Sequence, residues 1–242
     1  MTMENTNYVA LSHQMALQRQ MDIIAHNIAN VNTSAFKSDA PLFEAFVIAA
    51  GPNSKISFVR DFGTLTDFAT GPIEHTGNTF DVALQGPGFF VIDTPQGRKY
   101  TRDGHFGIDG QGNLVSSHGD PILAEDGRPI LADPALGPMT INGDGSVAVG
   151  NRPPVRLAVV EFAKPQFLHR AGGGYYTTTQ EEQAVAQPRI VQATLEGSNV
   201  EPILELTRMI ETTRAYEASQ RLIDTDHDLQ RKVVDRMPKI RT

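Results

Sequence analysis

The sequence predicts an α+β chain in which long N- and C-terminal helices form a coiled-coil layer, with a central antiparallel all-β domain, sandwich or barrel-like. Two observations predict it. Apolar residues recur at helical spacing near both ends, and the middle carries short apolar runs broken by Asp-Gly and Asn-Gly pairs.

The first helix is expected over about 4–31. Leu17, Met21, Ile24, Ile28 and Val31 follow one another at spacings of four, three, four and three, the seam of a coiled coil rather than a broad core face. The row runs back through Gln14 to Ala10. Burying a large apolar side chain is worth roughly 1.5 to 3 kcal/mol, while ordering each residue costs about 1.5 kcal/mol. A seam this sparse cannot hold a long helix by itself. Pairing the two terminal helices only with each other leaves Leu11, Met15 and Ile23 on one, and Met209, Leu222 and Leu229 on the other, near water. Several copies packed side by side would cover them. The competing reading, which periodicity alone favours, is two ordinary core helices lying on a sheet of the same chain.

Residues 38–79 read as a connecting region with short extended pieces. Pro41, Gly51, Pro52, Gly63, Gly71 and Pro72 punctuate it, and aromatic residues including Phe43, Phe46, Phe58, Phe62 and Phe68 make it too apolar for a disordered linker.

Strand signals become dense over 80–195, the expected β-rich domain. Phe80, Val82 and Leu84 alternate with Asp81, Ala83 and Gln85, the period of a half-buried strand. Gly86, Pro87 and Gly88 turn the chain into Phe89-Phe90-Val91-Ile92. Further strands are expected at 99–102, 105–108, 114–116, 121–124, 139–141, 146–149 and 155–162. Asp103-Gly104, Asp109-Gly110, Asp126-Gly127, Asn142-Gly143 and Asp144-Gly145 are pairs that supply positive φ in tight hairpins or bulges.

The last segment, 196–242, is the second helix and pairs with 1–37. Ser198 and Glu201 have the three-residue spacing of a capping box, and Pro202 falls in the first turn. A related row follows at Ile203, Leu206, Ile210, Thr213, Tyr216, Gln220, Ile223 and His227. The basic stretch from Arg231 to Arg241 places favourable charge near the helix C-terminus, with Pro238 as the stop.

Composition narrows the function classes. The 242 residues include 21 basic and 28 acidic side chains, net −7, with the basic ones scattered, which argues against a nucleic-acid partner. No window has the apolar length of a membrane span, so no direct membrane insertion is expected. Met1 to Tyr8 show neither the basic start nor the apolar run of a cleaved secretory signal. The absence of cysteine excludes disulfides, thiolate metal sites and a cysteine nucleophile.

Three blocks carry a resemblance. The stretch from His26 to Lys37, with Asn27, Ala29, Asn30, Thr33, Phe36 and Lys37, resembles the N-terminal signature of the bacterial flagellar basal-body rod and hook axial proteins. The second block is Phe80 to Phe90, with Gly86, Gly88 and Phe89, followed by Tyr100-Thr101-Arg102-Asp103-Gly104. The third is Leu195-Glu196-Gly197-Ser198-Asn199-Val200 with Arg214-Ala215-Tyr216-Glu217. In order, they span nearly the whole chain. Within the family the start of the chain is most similar to the proximal-rod type, with the distal-rod type or another hook-family axial subunit as the alternative. The common pattern has Asn at His26 and Gly at Ala35; alanine disfavours a positive-φ turn there and fits the proximal-rod type.

The resemblance implies a structural subunit that stacks helically into a hollow drive shaft, transmitting torque and carrying the export channel. Its implied partners are copies of itself, the inner rod below, the distal rod above and the flagellar type III export apparatus. Its implied place is the periplasmic rod, reached without signal cleavage. Leu17, Met21, Ile24, Ile28 and Val31, with Leu206, Ile210, Tyr216 and Ile223, would be the assembly interface. Ends ordered only on docking are expected, with a monomer whose β domain alone is folded.

Enzyme readings find little. His13, His26, His75, His105, His118, His169 and His227 have no metal-ligand spacing, and neither a nucleophile elbow nor a phosphate loop is present. Asp109, Gln111 and Asn113 suggest a calcium loop, but Leu114 occupies the glycine position and Asp120 that of the bidentate Glu, so the segment reads as a turn. Asn32-Thr33-Ser34 fits a glycosylation acceptor but reads as a helix-ending cluster. A peptidoglycan-binding or muralytic module is the remaining alternative, with Glu125 and Glu161 as available carboxylates that nothing in the sequence places opposite each other. No catalytic, cofactor or metal residues are assigned.

Overall fold

The computed structural model describes residues 3–51 and 54–236. The chain forms two compact units. One, the helical unit, comprises Met1–Ala29, Asp39–Thr66 and Glu201–Thr242; the other, the β unit, comprises Asn30–Ser38 and Asp67–Val200. The expected segments 1–37 and 38–79 are therefore each divided between the units.

In the helical unit, α1 covers Met3–Ala29 and α2 covers Pro202–Arg236. The two rows meet: the Gln14 amide donates to Gln220 Oε1 at 2.5 Å, and the Thr213 hydroxyl donates to Met21 Sδ at 3.8 Å. The polar layers of the two seams thus face each other instead of burying unpaired amides.

The unit's other part differs from expectation. The region read as short extended pieces contributes two 13-residue antiparallel strands, β1 (Asp39–Gly51) and β2 (Ser54–Thr66). Phe46 lies opposite Phe58 in the ladder, a favourable cross-strand pair, and the register shifts at Leu42/Phe43, opposite Gly63. Local glycines and prolines obscured this pairing, which cross-strand contacts sustain.

Helix α1 packs on both strands as well as on α2, and Arg19 reaches Asp61 at 3.3 Å and Thr64 at 3.3 Å. Within the chain α1 thus has both a helical partner and a sheet to lie on. Ile23, expected near water, is buried, whereas Leu11, Met15, Leu222 and Leu229 are exposed.

The capping box does not form. Helix α2 opens with Pro202, whose missing N–H costs nothing there, and the Ser198 hydroxyl accepts from the Val200 N–H, two residues on. Pro238 lies outside the described residues, as do Lys239 and Arg241.

The β unit is antiparallel. Its main sheet has six strands in the order 169–170, 175–177, 97–101, 89–94, 159–161 and 183–184. A three-stranded sheet (139–141, 146–149, 155–156) and several two-stranded pairs complete the unit. The strand Phe89–Thr94 is apolar on both faces because both are covered. Phe90 and Ile92 enter a core with Leu114, Ile122 and Leu157, while Phe89 and Val91 enter a second with Tyr100, Phe162 and Tyr176.

The strand expected over 155–162 is broken. Val155–Arg156 pairs with Ser146–Val149, Val159–Glu161 joins the main sheet, and Leu157 and Ala158 cross between them, donating to Gly145 and Leu123 carbonyls. Residues 121–124 make isolated bridges rather than a strand. Only part of the turn expectation holds. Gly127 and Gly145 have positive φ, but Gly104, Gly110 and Gly143 do not. At Gly104 the requirement is steric: a Cβ would stand 1.6 Å from the Val82 carbonyl oxygen.

Candidate functional site

Residues of all three signature blocks converge in the β unit. Lys37 and Glu196 are fully buried, 0% and 1% exposed. The Glu196 carboxylate accepts from Lys37 Nζ at 2.5 Å, from Arg102 Nε at 2.9 Å and from the Gly71 N–H at 3.0 Å. Arg102 also donates to the carbonyls of Gly86 and Gly88 at 2.7 and 2.9 Å, fixing the 84–88 turn, and Lys37 Nζ donates to the Ala69 carbonyl at 2.7 Å.

Two cations thus share one carboxylate. Burial lowers the Lys37 pKa, opposed by attraction to Glu196. Arg170 adds a clamp: its guanidinium donates to the Lys37 carbonyl and stands 4.8 Å from the Phe36 ring centroid and 5.6 Å from that of Tyr176.

The other signature residues build the surrounding turns. Thr33 and Phe36 donate through their N–H groups to the carbonyls of Asn30 and Thr33. Gly86 and Gly88 have φ of 117° and 126°, and Phe89 packs edge-on against Phe68 at 5.5 Å. Val200 and Ser198 are buried, and Asn199 binds Ser38 and Asp67. Asn27 lies in the helical unit, buried, and Ala29 is the exposed last residue of α1.

Alanine at position 35 was expected to disfavour a positive-φ turn, yet Ala35 has φ of +54°. Left-handed backbone costs an L-residue roughly 1 to 2 kcal/mol. Here a 2.7 Å hydrogen bond from the Ala35 N–H to the Glu196 carbonyl, together with burial, opposes that cost. The side chain at 35 is therefore no guide to the backbone and does not separate the family types on that ground.

Arg102 and Glu196 stand in the resemblance blocks, where spacing gave them no structural role, and Arg170 lies outside all three.

The seam residues divide into two sets. Leu17 and Ile24 are buried within the chain; Met21, Ile28, Val31, Tyr216 and Ile223 are half-buried. Leu206 and Ile210 are 52% and 54% exposed, and Ile203 on the same row is 82% exposed. On α1, Tyr8, Leu11 and Met15 are exposed as well.

A cavity of about 500 Å³ in the β unit has an apolar floor of Val91, Leu123, Ala158 and Val160, with Arg98, Glu125, Arg156 and Glu182 also lining it. Glu182 is held by Tyr100 at 2.6 Å and Arg98 at 3.5 Å. Glu161 is not in its lining, so the cavity does not bring together the two carboxylates available for glycan chemistry. Asp109 accepts from the Gln111 and Asn113 N–H groups and from Asn113 Nδ2, at 2.8, 2.8 and 2.9 Å, so its oxygens close a turn.

The sequence matches three family models: "Flagella basal body rod protein" over residues 8–37, "Flagellar hook protein FlgE/F/G D1 domain" over 83–149 and "Flagellar basal body rod FlgEFG protein C-terminal" over 191–236. It is 38% identical to the flagellar basal-body rod protein FlgF of Caulobacter vibrioides, over 98% of this chain and 100% of the relative. It is 38% identical to the FlgF of Mesorhizobium japonicum, over 91% and 92%. Similarity to the flagellar basal-body rod protein FlgG of Buchnera aphidicola (subspecies Schizaphis graminum) is 34%, over 90% and 94%.

Proposed function

The chain belongs to the flagellar basal-body rod protein family, and from that premise we propose that it is a proximal-rod subunit of the FlgF type whose terminal helices pack with other copies and other rod subunits into a helical, hollow shaft. It is a structural subunit of the basal body, and FlgF is the type it matches best among the relatives compared.

The observation that carries the assembly reading is the exposed apolar row Ile203, Leu206 and Ile210 on α2, with Tyr8, Leu11 and Met15 on α1. Large apolar side chains at helical spacing, left in water by one chain, are the material of an interface between chains. A contact of one face with a different face of the next copy does not close and so produces an open helical stack. Leu17, Met21, Ile24, Ile28 and Val31 pack the helices within this layer, and Leu206, Ile210, Tyr216 and Ile223 face neighbours. The shaft transmits torque, and the chain reaches it through the flagellar type III export apparatus without signal cleavage, its ends ordering on docking.

The test is deletion of the chain in its host, followed by electron microscopy of purified basal bodies and scoring of motility. Basal bodies halted at a short inner rod, without distal rod or hook, are the expected result. A rod of distal length formed without the chain refutes the proximal assignment. Circular dichroism of the dilute monomer tests the ends: full helical content there would contradict ordering on docking.

A further inference from the structure

The backbone passes between the two units at four places: 29/30, 38/39, 66/67 and 200/201. On each side of these crossings one asparagine gathers the segments that make them. In the helical unit Asn27, 2% exposed, accepts from the Asp39 N–H at 3.0 Å and donates through Nδ2 to the Asp39 carbonyl at 2.9 Å. The same nitrogen lies 3.4 Å from Glu205 Oε2 in the first turns of α2. Asp39 in turn holds Thr66, whose hydroxyl donates to its carboxylate at 2.6 Å.

In the β unit Asn199 Oδ1 accepts from the Ser38 N–H at 2.7 Å, and Nδ2 donates to the carbonyls of Asp67 at 2.9 Å and Ala69 at 3.2 Å. Its own N–H donates to the Phe36 carbonyl at 3.2 Å, and the Asp67 N–H donates to the Ser38 carbonyl at 2.9 Å.

Both sites need an amide. Asparagine presents a donor and an acceptor on separate atoms of one planar amide, so it can bond to a backbone as a neighbouring strand would. An aspartate lacks the donor, and an alanine removes the partner of the part-buried N–H of Ser38 or Asp39.

We propose that Asn27 and Asn199 are paired positioning residues that tie crossing segments together, four of them in the helical unit and three in the β unit, so that force passes between the units through a bound bundle rather than through independent strands. This rests on the shaft reading above. Tied segments share a load and stretch together; untied ones yield one at a time.

The test uses the full chain with Asn199→Ala and Asn199→Asp. In the purified protein, Asn199→Ala should speed exchange of the Ser38 amide by about tenfold, the effect of losing one part-buried hydrogen bond, while amides of the strand 89–94 keep their protection. Asn199→Asp retains the Oδ1 acceptor and should leave Ser38 protected. In cells lacking the natural chain, Asn199→Ala protein should enter basal bodies in normal amount, while filaments are shed at least several-fold faster under viscous shear.

Unchanged Ser38 exchange, or unchanged filament retention with the variant incorporated, overturns the proposal. Should Asn199→Ala expose 89–94 as well, Asn199→Asp decides in both assays. It removes the ties to Asp67 and Ala69, so filament retention equal to the natural chain refutes the mechanical role. Natural chain missing from purified basal bodies would instead refute the shaft reading, whatever the exchange data show for Asn199.

Discussion

Replacing Glu196 by alanine should cost the β unit a large part of its stability. Its carboxylate is the shared partner of Lys37 and Arg102, both buried, and also accepts from the Gly71 N–H. Removing it leaves two buried cations facing each other, and breaking a buried pair in this way costs about 3 to 5 kcal/mol. With folded domains stable by about 5 to 15 kcal/mol, the loss approaches the whole margin. At a urea sensitivity of about 2 kcal/mol per molar, a loss of about 4 kcal/mol moves the midpoint down by about 2 M.

Near-ultraviolet circular dichroism follows it chiefly, because three of the five tyrosines, Tyr100, Tyr175 and Tyr176, belong to the β unit and the chain has no tryptophan. Lys37→Met should cost about 2 kcal/mol or less, since it leaves Glu196 paired with Arg102 and fills the aliphatic volume of the lysine stem. The result that would refute the reasoning is a Glu196→Ala midpoint within about 0.3 M of the natural chain, or Lys37→Met costing as much as Glu196→Ala.

The pH dependence has a definite sign. Burial lowers the Lys37 pKa from 10.5, so below the folded value both states hold the proton and the burial penalty is fully present. Between that lowered pKa and 10.5 the unfolded chain binds more protons, and this group's contribution to stability rises with pH. Lys37→Met should abolish the rise.

Three further outcomes are expected. Leu206→Glu combined with Ile210→Glu should leave monomer stability within about 0.5 kcal/mol, because both sites are exposed, yet abolish incorporation into basal bodies, measured by immunoblot. Ala35→Gly relieves a left-handed alanine at φ +54° and should raise thermal stability by up to about 1 kcal/mol, read by calorimetry. The Tyr175 phenol is pushed up to about 12 by burial and by the Asp120 carboxylate it donates to at 2.9 Å. Its contribution should be lost as pH rises from 10 toward 12, and a 295 nm titration should lose one late-titrating phenol in Tyr175→Phe, the Tyr100 phenol being pushed higher still by burial.

Much of the fold is legible in the sequence because it rests on local pattern. The terminal helices show in four- and three-residue spacings, and the strands at 139–141 and 146–149 fall where alternation and Asn-Gly or Asp-Gly pairs put them. The strands at 169–170, 175–177 and 183–184 were not legible, being two or three residues long and formed by pairing with other strands of the β unit. The long hairpin of β1 and β2 was obscured by its own glycines and prolines. Of the candidate site, the exposed row on α2 could be read residue by residue, since helical spacing alone places Leu206 and Ile210 on a shared row.

By itself the sequence determined the two helical ends, the antiparallel β middle and the family blocks, because period, turn chemistry and motif order are properties of neighbouring residues. Tertiary structure alone decided that Lys37 meets Glu196 across 159 positions, that Ala35 adopts a left-handed backbone, and that Asn27 and Asn199 tie segments together. Those outcomes depend on burial and on partners distant in the chain. A charged, amide or methyl side chain takes its role there from what surrounds it, and no local spacing records those surroundings.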